Sequence, residues 1–403
     1  MVVKDKPLMV LLSILAVVII AFFLVLVFKV NFRCGKQTDK EQQKDSIDKK
    51  KDTIKTIGAF SLDDFFKENK QIKSLVNSIY ENLNDTEKVG QMIVTSGGKL
   101  GLSDEHIINL IKEKKVGGIC LLKGSKKELT DLIDKFKSEA ESCKTLPLIF
   151  SCDGEPTLFN EKIQGSPEVK DAIKINNPAE ADKIAGIICD FIKEIGFTQN
   201  YAPVCDFCTN KEIIGDRAFG NKQDRVTELA ISFIKKTQSL GIVATAKHFP
   251  GHGSASGDSH KNLVVIKGKL KELDVFKNVI KSGVISIMVG HIAIKGGEYD
   301  TNGEPATISK IIVTTLLKDS LHFKGIIVTD AMNMKGVSGF QTPALKAILA
   351  GCDMILMPSD ETKLITSVVE KMKDDNVLKS QIEQSVKKII KLKICLNLFT
   401  KIK

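Results

Sequence analysis

The sequence predicts an α/β fold, a (β/α)8 barrel of the TIM type behind an N-terminal transmembrane helix. Short apolar runs rich in valine and isoleucine alternate with longer amphipathic segments, as in βα units around a parallel sheet. Eight such runs are present, enough to close a barrel. An open doubly wound sheet is the alternative, but no G-x-G-x-x-G follows the first run.

The eight predicted strands are VGQMIVTS, VGGICLL, LPLIFSCD, FTQNYAPVC, IVATAKHF, SIMVGHI, GIIVTD and MILMPS. They occupy residues 89–96, 116–122, 146–153, 197–205, 242–249, 286–292, 325–330 and 354–359. The chain ends in KKIIKLKICLNLFTKIK, a lysine-rich amphipathic segment that predicts the last helix of the barrel. One barrel therefore accounts for the chain from the first strand to its end.

The region before the barrel divides into three parts. A short flank, residues 1–7, precedes LMVLLSILAVVIIAFFLVLVF at residues 8–28, which has no charge and is long enough to cross a bilayer core of about 30 Å. Residues 29–57 are polar and charged and suit a linker. We therefore expect a single-pass anchor, a tether and one monomeric domain over residues 58–403.

The charges beside the anchor leave its orientation open. Lys4 and Lys6 precede the apolar segment, and Lys29, Arg33 and Lys36 follow it, so the positive-inside count does not support an N-in arrangement. An extracytoplasmic domain is the expectation.

Composition narrows the possible partners. The net charge of +10 comes from lysines scattered along the chain, without a dense basic block and with only 3 tyrosines, so no nucleic-acid partner is expected. The 9 cysteines are an odd, scattered set that gives no disulfide framework. The single C-x-x-C, from Cys205 to Cys208, is weak as a zinc or redox motif, and buried free thiols are the preferred interpretation.

Six polar residues lie at or just after the carboxyl ends of five predicted strands. In a barrel these ends meet on the face where enzymes build their sites. A single such residue is more often a structural hydrogen-bonding group, but six in register favour a site. They are Asp153, Asp206, Lys247, His248, His291 and Asp330.

The segment AKHFPGHGSASGDSH carries three of the chain's 6 histidines. A Pro-Gly pair separates His248 from His252, so the two cannot share a helical face as in a zinc-binding H-E-x-x-H. The following glycines and small polar residues predict a loop over the barrel mouth. At its end Asp258 and His260 are two residues apart, a spacing at which the carboxylate can orient the imidazole as a proton shuttle.

AKHFPGHGSASGDSH resembles the K-H-F-P-G-H-G-(x)4-D-S-H signature of glycoside hydrolase family 3, in its bacterial β-N-acetylglucosaminidase branch of the muropeptide-trimming type. The similarity continues in order through VGGICLL, YAPVCDFCTN, IGDRAFG, IMVGHIAI, PATISK, GIIVTDAMNMKGV and ALKAILAGCDMILMPSD. It runs from about residue 86 to 360. The resemblance implies a catalytic (β/α)8 domain and no metal or other cofactor.

The resemblance also implies a retaining double displacement. By it, Asp330 is the nucleophile and His260, assisted by Asp258, is the acid/base, which departs from the usual pair of carboxylates. A neutral imidazole does not repel anions, so phosphate in place of water as the second nucleophile is a further hypothesis.

The family's sugar-binding positions match Asp153, Arg217, Lys247 and His248, which are expected to bind the hydroxyls of a terminal N-acetylglucosamine. The absence of tryptophan favours a small exo-acting pocket over a long groove with aromatic platforms. Peptidoglycan fragments or related glycans are the substrate that the resemblance implies.

One segment departs from the family pattern. Where the family reads D-x-E-G-G-x-V-x-R, this chain reads DGEPTLFNE, with Pro156-Thr157 in place of Gly-Gly and Glu161 in place of the arginine. The change puts sugar preference in question and leaves room for a catalytically impaired, membrane-tethered glycan-binding barrel.

Two alternatives remain among enzymes. A family 3 β-glucosidase is the nearest, although the D-S-H loop belongs to the N-acetylglucosaminidase branch. A metal-dependent barrel hydrolase using His248, His252 and Cys205 predicts bound zinc and inhibition by chelators.

Overall fold

The computed structural model describes residues 60–255 and 262–399. The flank, the predicted anchor and the linker, residues 1–57, lie outside the described residues. So do Asp258 and His260 of the predicted acid/base pair. Within the described ranges, no helix combines the length and the apolar character needed to cross a bilayer.

Eight parallel strands form the centre of the molecule, each hydrogen-bonded to the next along the chain. β8 returns to pair with β1, and a single bridge between Val328 and Met354 joins β7 to β8, so the barrel is nearly closed. The predicted α/β barrel is confirmed. The strands are β1 (Ile93–Gly97), β2 (Gly118–Leu121), β3 (Ile149–Cys152), β4 (Gln199–Asn200), β5 (Val243–Phe249), β6 (Ser286–Val289), β7 (Ile326–Thr329) and β8 (Ile355–Leu356).

None of the eight strands has the same limits as the run that predicted it, and β1 and β4 are two examples. The first strand was predicted to start at residue 89, but it starts at Ile93 because residues 89–91 form the end of helix Asp85–Gln91. Asn84 caps that helix at its start by accepting a hydrogen bond from the amide of Glu87. β4 has only two residues, and its chain returns to the sheet at the bridge between Val204 and Lys247.

Helices cover the outside of the barrel. Asn177 caps Pro178–Ile195 at its start and Gly196, with φ of 108°, ends it in the left-handed conformation, so local sequence sets both limits. The last long helix is Asn376–Cys395, which begins before the predicted segment. The others are Lys70–Glu81, Asp85–Gln91, Asp104–Lys112, Lys126–Ser142, Phe159–Lys162, Gln223–Ser239, Leu273–Lys281, Ile311–Ser320, Lys335–Ser338, Pro343–Ala350 and Glu361–Met372.

Two short parallel ribbons extend the barrel beyond its carboxyl ends. Val264–Lys267 pairs with Ile292–Lys295, and Gly124–Ser125 pairs with Ile163–Gln164. The core between strands and helices is apolar and close-packed; for example, the rings of Phe249 on β5 and Phe276 on the following helix meet edge to face at 5.2 Å. The strand ends are thus held on a rigid frame.

A buried lysine at the base of the barrel gives a stability prediction. Nζ of Lys393 donates to Oε1 of Gln91 at 2.6 Å, and burial lowers the pKa of Lys393 from 10.5 to about 7. Between these pH values the unfolded chain binds more protons, so stability rises with pH. We expect Lys393→Met to remove up to about 1.4 kcal/mol per pH unit of this rise, measured by urea unfolding from pH 7 to 10.

The matched control is Lys269→Met, at an exposed lysine. It is expected to leave the pH dependence of the free energy of unfolding as in the wild type. Equal slopes for the wild type and Lys393→Met would contradict the buried, proton-poor state of Lys393.

Candidate active site

The carboxyl ends of β3 to β7 bring the six strand-end residues to one place. Asp153 follows β3, Asp206 comes after β4 and contacts His248, Lys247 and His248 lie in β5, His291 follows β6 and Asp330 follows β7. The charges of His291, His248 and Lys247 all act on the carboxyl group of Asp330. Strand ends that are distant in sequence therefore share one site, as the barrel geometry predicts.

A buried network of four charged side chains forms one wall of the site. Glu155 accepts Nε of Arg217 at 2.8 Å and Nη2 at 2.7 Å, a bidentate pair. Nζ of Lys247 lies 2.5 Å from Oε1 of Glu155 and 2.9 Å from Oδ1 of Asp153. Glu155 and Lys247 are buried, while Asp153 is one-quarter exposed. The wall presents carboxylate acceptors and cationic donors together, the groups that bind sugar hydroxyls.

The charges of this network stabilise one another. Burial alone would raise the pKa of Glu155, but the charges of Arg217 and Lys247 outweigh it and hold that pKa well below its usual range. Burial alone would lower the pKa of Lys247, but Asp153 and Glu155 raise it. Glu155 is therefore ionised and Lys247 protonated at neutral pH.

The residues that depart from the family pattern, Pro156 and Thr157, directly follow Glu155 of this wall. Asn200 of β4 accepts the amide of Gly154 at 2.8 Å and donates to its carbonyl at 3.1 Å. A Cβ on Gly154 would lie 2.9 Å from that side chain, so glycine is required there. The hydroxyl of Thr157 donates to the carbonyl of Asp216 at 2.8 Å and accepts the amide of Ala172 at 2.9 Å. Thr157 thus joins the altered turn to the residue that precedes Arg217.

A second buried pair supports His248. Asp206 accepts Nδ1 of His248 at 2.6 Å, the amide of His248 at 3.1 Å and the amide of His252 at 2.7 Å. Burial would raise the pKa of Asp206, but His248 outweighs it and the pKa is lowered. With Asp206 ionised, His248 carries its proton on Nδ1 and Nε2 is the nitrogen on the opposite side of the ring.

Asp330 lies half-buried at the end of β7. Its amide donates to the carbonyl of Val289 at 2.9 Å, and its Oδ1 accepts the amide of Ala331 at 2.8 Å. Burial would raise the pKa of Asp330, but His291, His248, Ala331 and Lys247 together lower it. This carboxylate is ionised, fixed in orientation and exposed to the site.

His291 is hydrogen-bonded to the chain next to Asp330. Its Nδ1 lies 2.8 Å from the hydroxyl of Thr307, and its Nε2 lies 2.9 Å from the carbonyl of Ala331. Because a carbonyl only accepts, Nε2 carries a proton. The ring therefore fixes the backbone that directly follows Asp330.

Five of the described residues were predicted as catalytic or sugar-binding, and the structure places all five here: Asp153, Arg217, Lys247, His248 and Asp330. Asp206 and His291 were predicted only as polar strand-end residues, and the structure gives them supporting contacts to His248 and to the carbonyl of Ala331. Glu155 was not predicted as a member of the site, although it stands in the DGE of the third strand end.

The cysteines within the described ranges are free thiols. Cys205 is buried, and burial raises its pKa; Cys208 is half-buried. His248 and His252 meet edge to face at 5.9 Å beside Asp206. In the described part of the chain no three His, Cys, Asp or Glu side chains are grouped so as to hold a metal ion.

The sequence matches a known domain family. Residues 85–392 match the glycosyl hydrolase family 3 N terminal domain. A beta-hexosaminidase of Idiomarina loihiensis is 29% identical over 284 residues, which cover 67% of this chain and 83% of that protein. A beta-hexosaminidase of Photobacterium profundum is 30% identical over 277 residues, which cover 66% of this chain and 80% of that protein.

Solved structures share the fold. A glycoside hydrolase family 3 beta-N-acetylglucosaminidase from Paenibacillus sp. has a TM-score of 0.72 and 27% identity; the match covers 78% of this chain and 63% of that one. A beta-N-acetylhexosaminidase from Beutenbergia cavernae has a TM-score of 0.69 at 21% identity, covering 76% of this chain and 98% of that one. The second likeness concerns the fold alone.

Proposed function

The chain belongs to glycosyl hydrolase family 3 and is a glycoside hydrolase, and on that premise we propose that it removes terminal, non-reducing β-linked N-acetylglucosamine by a retaining double displacement. The observation that carries the proposal is the ionised, oriented carboxylate of Asp330 beside a buried charged wall suited to one sugar. Peptidoglycan fragments or related glycans are the proposed substrates, supported by the beta-hexosaminidases among its relatives.

Asp330 is the proposed nucleophile. In the first step one of its oxygens attacks the anomeric carbon as the bond to the leaving oxygen breaks, giving a covalent glycosyl-enzyme. The lowered pKa keeps the carboxylate ionised, and the amide of Ala331 holds one oxygen so that the group keeps its orientation. In the second step water attacks the same carbon and Asp330 leaves.

His260 is the proposed acid/base, assisted by Asp258. Protonated His260 gives its proton to the leaving oxygen in the first step, and neutral His260 takes a proton from water in the second. The support for this assignment is the D-S-H sequence. Phosphate entering instead of water would give a glycosyl phosphate, which a phosphate-dependent product analysis tests.

The sugar contacts are proposed for the buried wall and the histidine next to it. Asp153 can accept hydrogen bonds from hydroxyl groups, and Arg217 and Lys247 can donate them. His248, with Nδ1 held by Asp206, offers Nε2. Side chains held this firmly suit a single terminal sugar and exo action.

The setting of the enzyme is proposed from sequence alone. Residues 8–28 would anchor the chain in a membrane through one span, and residues 29–57 would tether the domain. We expect the domain to act as a monomer on the extracytoplasmic side. Fractionation of cells that express the full chain, with and without residues 8–28, tests the anchor.

The experiment that tests the activity compares two chromogenic substrates. We expect the full chain to release nitrophenol from p-nitrophenyl β-N-acetylglucosaminide with a kcat/KM at least about tenfold above that for the β-glucoside, since discrimination on one polar substituent is of this order or larger. A preference for the glucoside would make the chain a β-glucosidase. A folded chain that binds sugar and hydrolyses neither would favour the impaired binding barrel.

A second comparison isolates the acid/base role. Nitrophenolate leaves without much help from a proton, whereas a sugar alkoxide needs one. We therefore expect His260→Ala to lower kcat/KM more for a disaccharide with a sugar leaving group than for the nitrophenyl substrate, by about 10²-fold. Equal losses on both substrates would remove His260 from the acid role.

A further inference from the structure

Residues 251–255, here called the lead-in segment, follow β5 and precede the part of the chain that carries Asp258 and His260. The segment is buried or half-buried and packs between two other parts of the chain. One is the loop after β4, residues 206–209; the other is Glu272, which immediately precedes helix Leu273–Lys281. The contacts of these two parts with residues 251–255 fix the position of the chain just before Asp258 and His260.

The loop after β4 holds the lead-in segment through backbone groups. Asp206 accepts the amide of His252 at 2.7 Å, and the hydroxyl of Thr209 donates to the carbonyl of Gly253. A Cβ on Gly253 would lie 2.0 Å from the carbonyl oxygen of Phe207, so the two backbones are in direct contact. On this side, the lead-in segment is held through its backbone atoms and not through its side chains.

Glu272 holds the opposite side. The hydroxyl of Ser254 donates to its Oε2 at 2.7 Å, and Glu272 is fully buried. Gly251 has φ of 130°, and a Cβ there would lie 2.6 Å from Cβ of Glu272 and 2.7 Å from its Oε2. The segment therefore rests on the Glu272 side chain at both of its ends.

Among the residues that the structure describes, no cation is paired with the carboxyl group of Glu272. Within residues 60–255 and 262–399, its Oε1 has no hydrogen-bond partner. Burial, and then the nearby Asp206, raise its pKa to about 7. Among the described residues, Asp206 is the charged group that acts on it, the Ser254 hydroxyl and the backbone at Phe207 oppose the rise in pKa, and Lys271 on its own element is exposed.

We propose that Glu272 is a positioning residue that holds the lead-in segment in place while it is protonated, and that its ionisation sets an alkaline limit to the activity. The inference rests on the proposed function. An ionised Glu272 would have to be hydrated or move away from Asp206, because a buried charge without a partner is costly. The chain packed against it at Gly251 and Ser254 would then shift.

Such a shift would act on catalysis rather than on sugar binding. Asp258 stands three residues beyond the lead-in segment, whereas Asp153, Arg217 and Lys247 are held in the network with Glu155 and His248 is held by Asp206. A displacement of about 1 Å in a catalytic group can lower a rate by about 10²-fold. We therefore expect the effect in kcat with little change in KM.

The test compares Glu272→Gln with the wild type from pH 6 to 8, using the full chain and p-nitrophenyl β-N-acetylglucosaminide. Glutamine keeps an oxygen for Ser254 and never ionises. The ratio of kcat in the variant to kcat in the wild type cancels the titration of His260. It is expected to rise about tenfold, because at one pH unit above its pKa an acid is about 90% ionised.

The matched control is Glu370→Gln, at an exposed glutamate paired with Lys373. Its ratio to the wild type should stay constant over the same range. A constant ratio for Glu272→Gln in an active enzyme would overturn this inference and leave the proposed function standing. A wild type that hydrolyses no β-glycoside would refute the proposed function, and this inference with it.

Ser254→Ala gives a second route if Glu272→Gln does not fold. The Ser254 hydroxyl lowers the pKa of Glu272, so its loss is expected to move the alkaline fall in kcat to higher pH while weakening the hold on the segment. An alkaline fall that stays at the wild-type pH would overturn the role of Glu272.

Discussion

Asp330→Asn is expected to lower kcat/KM on p-nitrophenyl β-N-acetylglucosaminide by about 10³-fold or more, because the amide is nearly isosteric but cannot form the glycosyl-enzyme. Its orientation should be kept, since the amide of Ala331 donates to Oδ1 at 2.8 Å and an asparagine oxygen can accept the same bond. Steady-state kinetics with equal amounts of folded protein measures the loss.

Two controls separate a chemical loss from a structural one. Asp319→Asn, at an exposed aspartate, should retain wild-type kcat/KM. Asp330→Ala in the presence of azide should form an α-glycosyl azide, because the small anion attacks the anomeric carbon from the side that the carboxylate vacated. Wild-type rates in Asp330→Asn would remove Asp330 from the nucleophile role.

The barrel could be predicted from sequence because its strands are buried on both faces. Such strands read as continuous apolar runs, and all eight runs contain a strand of the structure. Their ends were harder to place. Residues 89–91, Val-Gly-Gln, were assigned to the first strand, but they form the end of the helix that Asn84 caps at its start.

The site was predicted where chemistry follows a strand end, and missed where it depends on a distant partner. Asp330 and Lys247 could be identified because parallel strands bring their carboxyl ends together. Glu155 acts through Lys247 and Arg217, and Arg217 stands 62 residues away in a short helical turn that has no periodic signal. Asp206 was recognised at a strand end, but its contact with His248, 42 residues away, could not be predicted from sequence.

The altered DGEPTLFNE turn shows why a local comparison of motifs falls short. The replacement of Gly-Gly by Pro156-Thr157 suggested a changed pocket. In the structure the Thr157 hydroxyl donates a hydrogen bond to the carbonyl of Asp216 and accepts one from the amide of Ala172. Glu161, in place of the family's arginine, is exposed and 3.9 Å from Lys123. The departure therefore leaves the contacts of the buried acceptor Glu155 in place: Pro156 is buried beside it, Thr157 is half-buried, and Glu161 is exposed.

Glu155→Gln is expected to lower the free energy of unfolding at pH 7 by about 3 kcal/mol, because it removes the paired carboxylate of buried Arg217 and leaves Lys247 with Asp153 as its one paired carboxylate. Since the pKa of Glu155 is depressed, the wild type loses this stabilisation as pH falls below the unfolded value of 4.5. The gap between wild type and variant should thus narrow in acid. Urea unfolding at pH 7 and at pH 4 measures both effects.

The control Glu161→Gln lies in the same turn with its side chain 68% exposed, and should unfold like the wild type. A double variant, Glu155→Gln with Lys247→Met, distinguishes charge imbalance from lost packing. If unpaired cations cause the instability, the loss of the Lys247 charge should restore part of the free energy of unfolding. The kcat/KM of the double variant should stay low, because the sugar loses Lys247 as a hydrogen-bond donor. A double variant less stable than Glu155→Gln would show that the wall stabilises the barrel through packing, and that its charges serve the substrate alone.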